Sequence, residues 1–260
     1  MAKNGRTICA ISVVILSGSL LLVVMLVGCN LRKSAENIKR KSDAPSSSGA
    51  TSRKPVTGPI NYVALGDSTG VGVGAQNGGY PARLFKRLLA VQPKSQLANF
   101  CVSGATTSDV LHSQLDRAVS ADPNLVTLGI GINDIGDGID IEEFARNYEE
   151  ILSRLTSNTK AAIIVTNIPD ISTGPRLPAT LRRPYHQLIV EFNQRLEAIA
   201  SQYGVPVSDI YKITHQELPS HPEYFSADGF HPSDQGYLLW AEQMWPTLAH
   251  TLGIDGADKP

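Results

Sequence analysis

From Ile60 onward, short apolar runs alternate with amphipathic stretches, and this alternation restricts the fold more than any other feature of the chain. The run 62–65 is too short for a helix and stops at Gly66, so it reads as a strand. Tyr80–Val91 reads as a helix, because Pro81 suits a first turn and Leu84 and Leu88 share a face. Further strands are expected over 96–102, 124–130, 161–167 and 205–210. Further helices are expected over 108–119, 141–157 and 184–203, with a last one capped by Ser233 and running to Leu252. Leu188, Phe192, Leu196 and Ile199 should face inward from the third of these, and Leu238, Ala241, Trp245, Leu248 and Leu252 from the last. Residues 170–183 and 211–230 read as long irregular connections. Strands that alternate with helices imply an α/β fold, a parallel sheet with helices on both faces.

Polar clusters interrupt the pattern where strands end. They are Gly66-Asp67-Ser68, Ser103-Gly104 and Gly131-Ile132-Asn133-Asp134, with Asp228-Gly229-Phe230-His231-Pro232 before the last helix. In a parallel sheet all carboxyl ends lie on one edge, where ligands bind. Four clusters on one edge point to a site. A serine just past the first strand, followed by glycines that allow tight turns, is a candidate nucleophile.

These four blocks, in this order and on this pattern, resemble the SGNH hydrolases, also called GDSL-type esterases and lipases. The resemblance spans residues 60–252. Thr69 stands where the family name has leucine. The resemblance implies a three-layer α/β/α, flavodoxin-like fold around a mostly parallel five-stranded sheet. It implies Ser68 as nucleophile, His231 as base and Asp228 as the group that fixes the imidazole tautomer. The oxyanion donors it implies are the backbone N–H groups of Ser68 and Gly104 and the side-chain amide of Asn133. Acyl-ester hydrolysis then proceeds through an acylated Ser68, with no metal or cofactor. The substrates implied are lipid, lysophospholipid, thioester or simple carboxylic esters. Polysaccharide deacetylation and acyl transfer are alternatives at the same site. Tyr211, Tyr224 and Phe225 are candidates to line an acyl pocket, and Arg176, Arg182 and Arg183 to meet an anionic head group.

The first residues read as a targeting segment. Lys3 and Arg6 precede a nearly continuous apolar stretch over 8–27, which ends at Leu26-Val27-Gly28-Cys29. This resembles a bacterial lipobox. It implies a signal peptide over 1–28, a lipidated Cys29 as mature N-terminus, and attachment to a membrane of the bacterial cell envelope. An uncleaved membrane helix is the other reading, and both place the globular part outside the cytoplasm. Residues 29–58, rich in Ser, Pro, Lys and Arg, read as a flexible basic linker, 59–254 as the hydrolase domain and 255–260 as a tail. With Cys9 removed and Cys29 acylated, Cys101 is the one thiol left. A net charge of −1 gives no nucleic-acid surface, and nothing in the sequence requires more than a monomer.

Other motifs fail on context. Gly66-Asp67-Ser68-Thr69-Gly70 fits the nucleophile elbow of α/β-hydrolases, but it follows the first strand instead of a later one. Gly70-Val71-Gly72-Val73-Gly74-Ala75 fits a loose dinucleotide fingerprint, yet no acidic residue occurs between Asp67 and Asp109. There is no P-loop lysine and no His-Glu-x-x-His. The rival from another class is a non-catalytic envelope protein that binds lipid or glycan without turnover.

Overall fold

A computed structural model describes Val56 and residues 58–254. The expected signal peptide over 1–28, Cys29, nearly all of the expected 29–58 linker and the expected 255–260 tail lie outside the described residues. Within them, no helix is long and apolar enough to cross a membrane.

Five strands form one sheet: β1 (Asn61–Gly66), β2 (Gln96–Asn99), β3 (Leu125–Gly129), β4 (Ala162–Thr166) and β5 (Val207–Ser208). All neighbours pair in parallel, in the order β2-β1-β3-β4-β5. That is the doubly wound order of flavodoxin-like sheets, whose direction of winding reverses between β1 and β3. The crevice outside the carboxyl ends at that point is where such folds take ligands.

Side chains along β1 alternate between two cores. Tyr62 and Ala64 pack with Leu84, Leu88, Trp240, Met244 and Leu248 from α2 (Tyr80–Val91) and α9 (Asp234–Leu252). Val63 and Leu65 pack with Phe144, Tyr148, Ile151, Phe192 and Leu196 from α6 (Ile141–Asn158) and α7 (Ala179–Gln202). Both faces are therefore covered, giving the three-layer α/β/α arrangement with an all-parallel sheet.

Several boundaries differ from the sequence reading. β2 ends at Asn99, although Phe100 N–H to Ala64 O and Val102 N–H to Gly66 O continue its bonding to β1 at 2.9 and 3.1 Å. α7 starts at Ala179, ahead of Pro184, which lies inside the helix. Proline suits a first turn, so it reads as a start; here it only deprives the second turn of one hydrogen bond. On α7 the buried residue is Ile189, while Leu188 is exposed; on α9 Tyr237 and Trp240 are buried and Leu238 is exposed. Each misassignment is one position round the helix, at the edge of its apolar stripe. The stretch 211–230 is not all irregular. It contains most of α8 (Ile210–Glu217), capped by Asp209, and a 3₁₀ turn at Pro222–Tyr224. With only Ile210 and Thr214 buried, α8 offers too few apolar positions to show a helical period.

Candidate active site

The site begins where β1 runs out of sheet. Gly66 has φ +145°, and a Cβ there would lie 2.2 Å from the Gly129 carbonyl oxygen of β3, so only glycine fits. Asp67 then caps the short turn α1 (Ser68–Val71). Its Oδ1 accepts from the Thr69 N–H at 2.8 Å and the Thr69 hydroxyl at 2.7 Å. Thr69 thus spends its hydroxyl on Asp67. Burial pushes the Asp67 carboxyl up to about 6, against the Thr69 hydrogen bonds and the nearby His231. Ser68 is the first residue of the turn, so its N–H has no acceptor within the helix.

His231 reaches Ser68 from the far end of the chain. Its Nε2 lies 3.0 Å from Ser68 Oγ, and its Nδ1 lies 2.6 Å from Asp228 Oδ2. With the ring proton on Nδ1 donating to Asp228, the Nε2 lone pair faces the serine hydroxyl. Asp228 Oδ1 accepts from Ser226 Oγ at 2.9 Å, Phe230 N–H at 2.8 Å and His231 N–H at 2.9 Å. Partial burial raises the Asp228 pKa, but the hydrogen bonds from the His231 ring, His231 N–H and Phe230 N–H outweigh it. They hold the carboxyl well below its usual range, so it stays ionised. An antiparallel bridge between Phe225 and Pro232, with Ser226 N–H on His231 O at 2.8 Å, closes this loop at its base.

Gly104 and Asn133 are brought together through Ala105. The turn carrying Gly104 hangs from β1 through the bond of Val102 N–H to Gly66 O, and Ala105 N–H returns to Val102 O at 3.1 Å. Gly104 has φ +80°, and the space its Cβ would take is open. Asn133 lies on α5 (Ile132–Gly136), and its Nδ2 donates to Ala105 O at 2.8 Å. A side-chain amide has two N–H groups, and this bond uses one of them.

Two supporting residues escaped the sequence reading. After α3 (Thr107–Asp109), a π-helical turn at Val110–Gln114 leads into α4 (Leu115–Ser120). It directs the fully buried Gln114 side chain onto Gly66: Gly66 N–H donates to Oε1 at 2.9 Å, and Nε2 donates to Gly66 O at 2.8 Å. The available signal was a polar residue four places after Val110 and four before Ala118, on the apolar face. Asp134, part of the third block but given no role there, is buried and accepts from Thr107 N–H and the Thr107 hydroxyl, the latter at 2.6 Å. Burial raises its pKa even so. Asn133 and Asp134 together therefore clasp the strip from Ala105 to Thr107.

Ile171, Leu218, Tyr224, Phe225 and Phe230 are among the residues that line a small open pocket. Asp67, Thr69 and Ile132 are among the residues that line a second small pocket. Tyr224 and Phe225 line the first of these, whose lining includes neither Ser68 nor His231. Tyr211 instead stacks on His215, and Arg176, Arg182 and Arg183 are exposed. Cys101 is a free thiol, its pKa pushed up by burial.

Ser68, His231 and Asp228 are thus hydrogen-bonded in series at the switch point of a flavodoxin-like three-layer α/β/α fold, an arrangement suited to nucleophilic acyl chemistry. Residues 64–239 match the GDSL-like Lipase/Acylhydrolase family, and the chain belongs to it. It is 29% identical over 207 residues to a GDSL-like esterase of Mycobacterium tuberculosis; the match covers 77% of this chain and 65% of that protein. Its fold is similar to that of an α/β hydrolase from the Lake Arreo metagenome, with a TM-score of 0.62, 22% identity, and coverage of 77% of this chain and 99% of the other. An acetylxylan esterase from Geobacillus stearothermophilus is also similar, with a TM-score of 0.62, 20% identity, and coverage of 75% and 95%.

Proposed function

We propose that this chain is a carboxylic ester hydrolase that works through an acyl-enzyme on Ser68. The observation that carries the reading is the continuous hydrogen-bonded path from Asp228 Oδ2 through both ring nitrogens of His231 to Ser68 Oγ. A free serine hydroxyl is a weak nucleophile, and a neutral imidazole at hydrogen-bond distance activates it. Ser68 Oγ attacks the acyl carbonyl carbon while His231 Nε2 takes the hydroxyl proton. Asp228 steadies the imidazolium without itself being protonated. The oxyanion is received by the N–H groups of Ser68 and Gly104 and by the remaining amide N–H of Asn133. Each such donor contributes about 3–4 kcal/mol to the transition state. Collapse expels the alcohol, which takes the proton from His231. Water then repeats the sequence on the ester carbonyl and frees Ser68.

The substrates proposed are acyl esters of lipid, lysophospholipid, thioester or simple alcohol type. We further propose that residues 1–28 are a lipoprotein signal peptide, that Cys29 is lipidated, and that a 29–58 tether holds the 59–254 domain, as a monomer, at a membrane of the bacterial envelope. Mass spectrometry of the mature N-terminus tests this: an acylated Cys29 supports it, and an unprocessed Met1 ends it.

The catalytic reading is tested with p-nitrophenyl esters from acetyl to palmitoyl and a fluorophosphonate probe, on wild type and Ser68→Ala. Turnover and a Ser68 adduct, both absent from the variant, support it. A short-chain optimum would favour deacetylation, and a long-chain optimum lipid esters. Absence of both turnover and adduct in the wild type would leave a non-catalytic binding protein.

A further inference from the structure

A second constellation lies apart from the triad. Asp170, His186 and His215 bring three metal-ligating donor atoms within 4.8 Å of one another. They come from three elements: the connection after β4, α7 and α8. Asp170 is almost fully buried, and its Oδ2 faces His186 Nδ1 at 3.0 Å and His215 Nδ1 at 2.7 Å. Two imidazoles thus converge on one carboxylate oxygen. In a tetrahedral Zn²⁺ site with bonds of about 2.0–2.1 Å, neighbouring donors are roughly 3.3 Å apart. The two spacings to Asp170 need roughly 0.3 and 0.6 Å of expansion to reach that separation, and all three donors already lie within 4.8 Å of one another.

We propose that Asp170, His186 and His215 form a binding site for a divalent transition-metal ion of the Zn²⁺ class. Two imidazole nitrogens and one carboxylate oxygen, with no thiolate, suit Zn²⁺ and Co²⁺ better than Mg²⁺ or Ca²⁺. The ion binds both Nδ1 atoms and Asp170 Oδ2, and each ring keeps its one proton on Nε2. The His186 and His215 side chains are 32% and 56% exposed, so the ion has an entry path and a fourth position open to water. The donors are also held from behind. Ser172 N–H donates to Asp170 Oδ1 at 3.0 Å, Asp170 N–H donates to Thr214 Oγ1 at 2.8 Å, and Tyr211 stacks on His215 with rings 8° from parallel. Such outer contacts orient the ligands of metal sites.

The ion's role in the fold follows from where Asp170 leads. Its loop continues to Arg176, whose N–H donates to Gly229 O at 3.2 Å, within the Asp228–His231 segment. A metal that ties this loop to α7 and α8 braces the wall behind the candidate base, without touching the reacting atoms.

The test uses the full chain, untagged and stripped with a chelator. Co²⁺ is titrated while its visible d–d absorption is followed, and the thermal midpoint is read with and without Zn²⁺. The expected result is one equivalent of Co²⁺ with the intense absorption of a four- or five-coordinate site, displaced by Zn²⁺, and a midpoint that rises with either ion. His186→Gln and His215→Gln, both at partly exposed positions, should each weaken Co²⁺ binding at least ~10-fold, the low end of what losing even an outer-shell partner costs. His221→Gln should leave binding unchanged, although His221 also lies near two carboxylates, Glu217 and Glu223. Absence of a saturable one-equivalent spectrum would overturn the proposal. Equal Co²⁺ affinity in wild type and both glutamine variants would do so as well, as would a variant that melts lower yet keeps the full Zn²⁺-induced rise.

Discussion

The serine end of the candidate triad lies at a buried sheet edge, while the histidine end lies on a solvent-facing loop. Ser68 is fixed by residues distant in sequence: Gln114 holds Gly66 from 48 positions away, and the Gly104 turn hangs from the same glycine. Asp228 and His231 are fixed by their immediate neighbours, through Ser226, Phe230 and the loop's own backbone. The two ends should therefore respond differently to substitution. Changes in the loop should alter chemistry and spare stability, whereas changes beneath the serine should alter both.

The largest effect is expected at Asp228. Asn at this position keeps Oδ1 for its three donors but replaces Oδ2 with an amide that cannot accept the His231 Nδ1 proton. Activity should fall about 10⁴-fold, as when the wrong tautomer is imposed on a catalytic histidine, and the thermal midpoint should hardly move. A large drop in midpoint in Asp228→Asn would show that the loop is not self-supporting and would break the comparison.

Asp67, on the serine side, should give a pH signature. In the folded chain its carboxyl titrates at about 6, above its ordinary 3.8, because it is buried. Between those values the folded state keeps a proton that the unfolded state has lost. Its contribution to stability is therefore greatest below pH 4 and declines as pH rises through 6, by up to about 3 kcal/mol. Asp67→Asn keeps the cap oxygen for Thr69 and removes the titration. Unfolding free energies from urea titrations at pH 4 and 7 should differ less in the variant than in wild type, by about 2–3 kcal/mol. An identical pH dependence in the two proteins would place the titration elsewhere.

Gln114→Leu should come next. It leaves the buried Gly66 N–H without an acceptor, while the Gly66 carbonyl keeps the bond from Val102. An orphaned buried donor costs about 1–3 kcal/mol. Because that donor lies two residues before Ser68, kcat should fall along with the thermal midpoint. A stability loss with unchanged kcat would mean that the serine does not depend on its distant support.

The same contrast explains what the sequence could disclose. Asp228 and His231 stand three positions apart in one block, so the resemblance could carry their relation over directly. The strand before Gly66 and the blocks at Gly104 and Asn133 were legible because a parallel sheet places strand ends on one edge. Gln114 was hidden because its partner is set by a π-helical turn, which a helical period of 3.6 does not anticipate. Asp134 was hidden for a related reason: the chemistry expected of the site gives its neighbour Asn133 a role, whereas Asp134 holds Thr107, 27 residues away. α8 was lost to its short buried face, and Leu188 and Leu238 were misplaced by one step round a helix.

The smallest effect is expected at Ser226, and it tests how much redundancy the loop has. Its hydroxyl is one of three donors on Asp228 Oδ1. The other two, from Phe230 and His231, are backbone N–H groups that no substitution of Ser226 removes. Asp228 is also partly exposed, so water can replace the lost hydroxyl. Ser226→Ala should therefore lower kcat less than about threefold and change stability by under ~0.5 kcal/mol, the range of ordinary surface substitutions. A loss of tenfold or more would show that the side chain fixes the carboxylate against rotation. The acid–base end would then depend on a single contact, as the serine end depends on Gln114, and the two regions would differ only in the length of chain their supports span.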